Sequence, residues 1–268
     1  MIIYKYNISG FFPWFSLLIC LFPWFGPYLG IDASSILDCD YIKQSWFAIL
    51  VPVAYKFKIV PIFLSLIIWL GLCRFNKDKI FNSVGNCYYL HWYITYWLAN
   101  FFGIKQCRLM RVPIPMQFKL ITRGTFETFI YQEGTHPLKI EFIDVQHFKA
   151  EPDTSTINLV LSDTYGISYN QLPTSVKQFT TIKISRMPQD GVRYYSEAFV
   201  KETLKVLHEL PSHVQCINLF ATTNPHNTYC IATEGFCQGN RGNIRHLTVF
   251  QQESKFPRNF NQKGEKIY

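Results

Sequence analysis

SEAFVKETLKVLHELPSHVQCINLFATTNP, residues 196–225, decides how the second half of this chain folds. Phe199, Val200, Thr203, Leu204, Leu207 and Leu210 recur at helical spacing and form one apolar stripe. Ser196 stands where it can cap the first turn, Glu197 and Glu202 suit the early turns, and Pro211 stops the helix. VQCINLFA, residues 214–221, follows as an apolar run of strand length. TTNPHN, residues 222–227, is a loop, and a second helix is expected from about 227 to 238, ended by Gly239. RHLTVFQ, residues 245–251, reads as the last strand. Strand, helix, strand, helix, strand implies a mostly parallel sheet with helices packed against it.

Upstream of that block, INLVL (157–161) is a buried strand and TIKIS (181–185) alternates as a half-buried one. Residues 118–122 and 138–145 are expected to be earlier strands. VPIPM, residues 112–116, marks the end of a basic juxtamembrane linker spanning 104–116. The α/β domain is thus expected over residues 117–252, with a loosely ordered polar tail at 253–268.

Before residue 104 the chain changes character. Residues 10–30 carry no charge and are long enough for a membrane span, though Pro13, Pro23 and Pro27 should kink or shorten it. Residues 46–73 form a second apolar run, interrupted by Lys56 and Lys58. Two lysines at mid-bilayer are costly unless they face other helices or snorkel. They are therefore candidate membrane or gating residues. Residues 86–103 are crowded with Tyr, Trp and Phe, and fit either a third span or an interfacial helix.

The loop charges bear on topology. Residues 31–44 hold Asp32, Asp38 and Asp40 against Lys43. Arg74, Lys77 and Lys79 follow the second run, and Lys105, Arg108 and Arg111 follow the third. The positive-inside rule favours two spans, with the N-terminus and the α/β domain on the cytoplasmic side of a multi-pass membrane protein. The net charge of +8 over 268 residues is thereby explained without DNA, and no DNA partner is expected. The lipid bilayer is the expected partner of the first hundred residues. The eight cysteines are scattered, with no C-x-x-C pair, as suits reduced, packed thiols.

Open parallel sheets bind ligands beyond the carboxyl ends of their strands. The candidate ligand-binding residues are Ser162, Thr164 and Tyr165 in one loop and Thr222, Thr223 and Asn224 in another. Tyr165 is placed to stack on a base and Arg186 to pair with a phosphate. Ordinary turn chemistry uses the same residue types. No hydrolase, P-loop, zincin or dinucleotide-binding motif is present. No catalytic residue, metal ligand or cofactor is therefore expected, and the chain is not expected to be an enzyme.

The run LVLSDTYGIS, the segment YNQLP, the helix SEAFVKETLKVLHEL and the block CINLFATTNPHNTYCIATEGF…NIRHLTVFQ resemble the SAVED domain. The resemblance covers residues of about 157–251. It implies a Rossmann-like, CARF/SAVED-like sheet that binds a cyclic oligonucleotide second messenger in bacterial antiphage signalling. It further implies an effector that forms homo-oligomers on activation and disrupts the inner membrane. A membrane-anchored interaction or assembly domain with no small ligand is the alternative. Residues 104–156 are few for the first half of such a sensor.

Overall fold

The computed structural model describes residues 8–25, 59–82, 93–131, 141–148, 155–187, 192–237 and 243–268. They fall into two compact units, one of Met1–Gly85 with Ile94–Cys107, the other of Asn86–Tyr93 with Arg108–Tyr268.

The first unit is built on two 18-residue apolar helices, α1 (Ile8–Phe25) and α2 (Ile59–Asn76). Ser65 Oγ donates to the Cys20 carbonyl at 2.7 Å, and Lys79 Nζ lies 5.1 Å from the centre of the Phe12 ring. As numbers rise along one chain they fall along the other, so the helices run antiparallel. Phe11, Phe15, Leu18, Ile62, Phe63 and Ile67 are each more than half exposed, while Ser16 is buried. Among the described residues, no helix is long and apolar enough to cross a membrane. Strand β1 (Ile80–Phe81) pairs in parallel with Gln106–Cys107 of β2 (Gln106–Arg108). Helix α3 (Tyr93–Phe101) buries Tyr96, Leu98 and Ala99. The Phe81 ring meets Tyr96 edge-on at 5.3 Å.

The second unit carries α4 (Ile114–Thr122), the short strand β3 (Thr128–Ile130) and a six-stranded sheet. The sheet strands are β4 (Phe142–Phe148), β5 (Thr156–Ser162), β6 (Thr180–Met187), β7 (Cys216–Ala221), β8 (His246–Phe250) and β9 (Glu265–Lys266). Their order is β4-β6-β5-β7-β8-β9. The four central strands are parallel, and β4 and β9 close the edges antiparallel.

Strand alternation divides the core. Ile157, Leu159, Leu161, Ile217, Leu219, Leu247 and Val249 point to the face covered by helices. Phe118 and Ile121 of α4, Phe199 and Leu207 of α5 (Glu197–His208), and Ile231 and Ala232 pack there. Val160, Phe220 and Phe250 point the other way, against Ile167, Leu172, Val176 and Phe260. That second cover has no α-helix: the β5-to-β6 crossover runs through two single 3-10 turns. Buried Asn158 ties it down, donating to the Val176 carbonyl at 2.8 Å and accepting from Asn218 Nδ2 at 3.1 Å.

Helix α5 forms as its stripe requires, with Ser196 Oγ accepting from the Phe199 N–H. Other expectations change. Residues 118–122, expected as a strand, end helix α4. Pro113 and Pro115 initiate that helix, and Pro115, Met116, Phe118, Leu120 and Ile121 are buried along it. The expected linker is packed, with Ile104, Leu109, Val112 and Met116 buried. The strand expected at 138–145 lies at 142–148. The second helix begins earlier, as α6 (Pro225–Cys230), and continues as a π-helical segment over Ile231–Cys237. The expected tail belongs to the fold: β9 pairs with β8, and Phe260 and Ile267 are buried. Lys56 and Lys58 lie outside the described residues, as do 26–58 generally.

Candidate functional site at the strand ends

Strand order fixes where a site can form. The chain leaves β5 for β6 on one side, then returns past it to β7 on the other. The strand order therefore reverses at β5, and a crevice is expected beyond the carboxyl ends there. Register brings Ser162 beside Ser185 and Leu161 beside Ala221, so residues 163, 186 and 222 meet.

Asp163 holds that meeting point. Its Oδ1 accepts from Arg186 Nε at 2.5 Å, with both side chains fully buried. Its Oδ2 accepts from the Asn224 backbone N–H at 3.1 Å and from Asn227 Nδ2 at 2.9 Å. Its own N–H donates to Thr222 Oγ1 at 3.2 Å. Arg186 Nη2 donates to the Val192 carbonyl at 3.0 Å, and the guanidinium lies 4.1 Å from the centre of the Tyr194 ring. Burial pushes the Asp163 carboxyl up, and the Arg186 charge with the three donors opposes that shift. Burial works against the Arg186 charge, but Asp163 more than offsets it and holds the guanidinium above its ordinary value. Tyr194 is pushed up to about 12, by burial and then by its bond to Glu141.

The residues singled out from the sequence do converge here, but inward. Ser162 Oγ accepts from the Ile167 N–H at 3.0 Å and donates to the Tyr165 carbonyl at 3.2 Å. Thr222 Oγ1 donates to that carbonyl at 2.8 Å. Thr223 and Thr228 share a hydroxyl bond of 2.7 Å. Asn224 caps α6 through the Asn227 N–H and donates to the Tyr194 carbonyl. Arg186, expected to meet a phosphate, already has a carboxylate. Ser162, Thr164, Arg186, Thr222, Thr223 and Asn224 are all buried. Tyr165 is half-buried, with the Arg258 guanidinium 4.5 Å from the centre of its ring.

The cluster is not fully satisfied. Among the described residues, Arg186 Nη1, Thr164 Oγ1 and Ser185 Oγ are buried without a hydrogen-bond partner. Such atoms in a native interior call for water, an ion or a ligand group.

Three rings near this end escaped the sequence reading. His226 lies between Tyr131 and Tyr195, with ring centres 3.9 Å and 4.1 Å away and planes within about 20°. All three are half-buried. They come from three separate segments, and no local pattern announces them. Asp163 and Asn227 were also missed as partners. On the far face lies a small hollow of about 20 Å³, lined by Val160, Ile167, Tyr169 and Leu172 among others. Among the described residues, no cluster of His, Cys, Asp and Glu could hold a metal.

A family model described as the SMODS- and Ubiquitin system-associated 2TM effector domain matches residues 16–268. The chain belongs to that family. The match runs through both units of the chain and leaves out only its first fifteen residues. No curated protein matches the sequence. Among solved structures, the chain is similar to the Acinetobacter baumannii Cap4 SAVED/CARF-domain containing receptor, solved with the cyclic trinucleotide 3'3'3'-cAAA. Identity is 8%, 65% of this chain and 42% of the receptor are covered, and the TM-score is 0.46. The same receptor with 2'3'3'-cAAA gives 10% identity, coverage of 60% and 38%, and a TM-score of 0.42. The chain thus spans about two fifths of that receptor's length. The likeness is remote, and the receptor's ligand does not transfer on it.

Proposed function

We propose that this 2TM effector binds a cyclic oligonucleotide at the strand-end crevice of its α/β unit and responds by acting on the inner membrane in antiphage defence. The observation that carries the reading is the cluster at the sheet's reversal point. It holds a buried arginine, two buried hydroxyls and unpaired donors at the place where parallel sheets take their ligands. Arg186 already carries the charge a phosphodiester requires, and Asp163 is the partner a phosphate would displace. Phosphate and carboxylate then compete for one guanidinium, which gives the unit two states for a ligand to choose between. Tyr165 and the stack of Tyr131, His226 and Tyr195 supply ring faces for bases.

The membrane half of the proposal rests on α1 and α2, whose large apolar side chains face outward. The pair enters the bilayer with both chain ends on the cytoplasmic side. An 18-residue helix rises about 27 Å, against roughly 30 Å of hydrocarbon. Helices this short are accommodated by bilayer thinning or oligomerisation. Ligand-driven homo-oligomers would concentrate that effect, with Lys56 and Lys58 sheltered between copies. No catalysis by this chain is required.

Equilibrium binding of labelled cyclic di-, tri- and tetranucleotides to the full chain in detergent tests the reading. At least one is expected to bind, and Tyr165→Leu is expected to weaken it by roughly 5- to 150-fold, the worth of one stacked base. The closed state of the cluster favours one rival, an interaction domain with no small ligand. Failure of every cyclic oligonucleotide to bind a folded chain would select that rival.

A further inference from the structure

We infer that α3 is an interfacial foot: together with the last turns of α2 it binds the anionic headgroup layer of the bilayer. This rests on the proposed insertion of α1 and α2. Ile94, Trp97 and Phe101 recur at helical spacing on one side of α3 and are about half exposed. The Trp97 and Phe101 rings stack at 5.4 Å, and Trp69 of α2 adds a third ring 5.5 Å from Phe101. A contiguous exposed patch of this kind marks an interaction surface. The nine residues of α3 rise only about 14 Å, far less than a span needs.

Its depth is set by how it is joined to α2. Trp69 Nε1 donates to the Phe101 carbonyl at 3.0 Å and Asn76 Nδ2 to the Phe102 carbonyl at 2.9 Å. These carbonyls at the end of α3 would otherwise lack partners. Gly103 follows in the left-handed region, φ +90°, and a Cβ there would come within 2.5 Å of Cys73 Cα. The ring cluster is therefore fixed level with residues 69–76. Arg74, Lys77 and Lys79 stand at that same end, against Asp78 alone, and Lys105 follows α3. Basic residues mark the cytoplasmic headgroup level and are drawn to anionic lipid. Rings with a polar edge settle there rather than in hydrocarbon. The sequence left residues 86–103 as either a span or an interfacial helix, and the geometry selects the second for α3.

The test uses the full chain carrying 5-fluorotryptophan, reconstituted in vesicles of three parts phosphatidylcholine to one part phosphatidylglycerol. Trp97 is assigned from Trp97→Phe. Its fluorine signal is expected to broaden several-fold more with a headgroup nitroxide than with a nitroxide deep in the acyl chain. Gly103→Ala is expected to reduce that broadening. Resistance to alkaline carbonate extraction reports insertion of α1 and α2 separately. A chain that resists extraction while Trp97 ignores both labels, as it would if a second copy covered the rings, overturns the foot alone. Stronger broadening from the deep label overturns it in favour of a span. A chain that is extracted sinks the insertion reading and this inference with it.

Discussion

The α1–α2 helix pair of the first unit and the second unit bury opposite kinds of side chain. In the first, Phe15, Leu18, Phe63 and Ile67 face outward while Ser16 is buried. In the second, Phe199, Leu219 and Val249 are buried, and so are Asp163, Arg186 and Asn227. Water alone does not account for both. Burial of apolar surface drives folding in water, so a helix pair that leaves its large side chains outside is what the proposed insertion in the bilayer requires. A unit that buries an ion pair accepts a desolvation cost, which is worthwhile where the charges have a further use.

The largest effect should come from unpairing the buried charge. Asp163→Ala leaves Arg186 buried without its hydrogen-bonded carboxylate, with only the charge of Glu141 nearby, and should cost about 3–5 kcal/mol. Urea unfolding of the full chain in detergent checks this. Phe15→Ala should change the same midpoint little, because Phe15 packs its ring mostly outward. Comparable losses from both substitutions would break the contrast between the units.

Next in size is a charge placed on the outward face of α2. Ile67→Asp should cost about 3–4 kcal/mol of membrane insertion if that face meets hydrocarbon. Carbonate extraction of vesicles is the readout, and unchanged retention would mean that the face does not meet lipid.

Alkaline titration sharpens the picture of the second unit. Tyr194 and Tyr268 are each pushed from 10.0 up to about 12, and Cys230 from 9.0 up to about 11, burial being the main cause. In each case the folded state keeps its proton longer than the unfolded state. Stability from these groups is complete below the ordinary value and is lost as pH rises through the raised one. The urea midpoint should therefore decline between about pH 9 and pH 12. A flat profile would mean that these groups are as accessible folded as unfolded.

The smallest effect belongs to the surface. Glu197 and Lys201 form an exposed i,i+4 pair at 2.7 Å, and Lys201→Gln should leave the unfolding midpoint unchanged within error. A clear loss there would show that exposed pairs matter more in this unit than the contrast allows.

How far the sequence could be read follows from the range of the interactions involved. Helix α5 was legible because its stripe, Ser196 cap and Pro211 stop are all local. Residues 118–122 were not, because FKLIT suits either period and helix α4 is set by the prolines before it. The closing strand β9 was hidden in a polar stretch, where burial of Phe260 and Ile267 depends on distant partners. At the candidate site, position was legible and disposition was not. The strand-end rule put Ser162, Thr222 and Asn224 together. The turning inward of those side chains depends on Asp163 meeting Arg186, which needs the register between β5 and β6. No residue pattern within a single segment encodes that register.

In the proposed mechanism the second unit reads a cyclic oligonucleotide and the first acts on the membrane in answer. Dye release from sealed liposomes carrying the full chain joins the two directly. Tight vesicles are expected without ligand, and leakage when a cyclic oligonucleotide that the chain binds is added. Leakage that needs no ligand, or intact vesicles with every cyclic oligonucleotide bound, would contradict it.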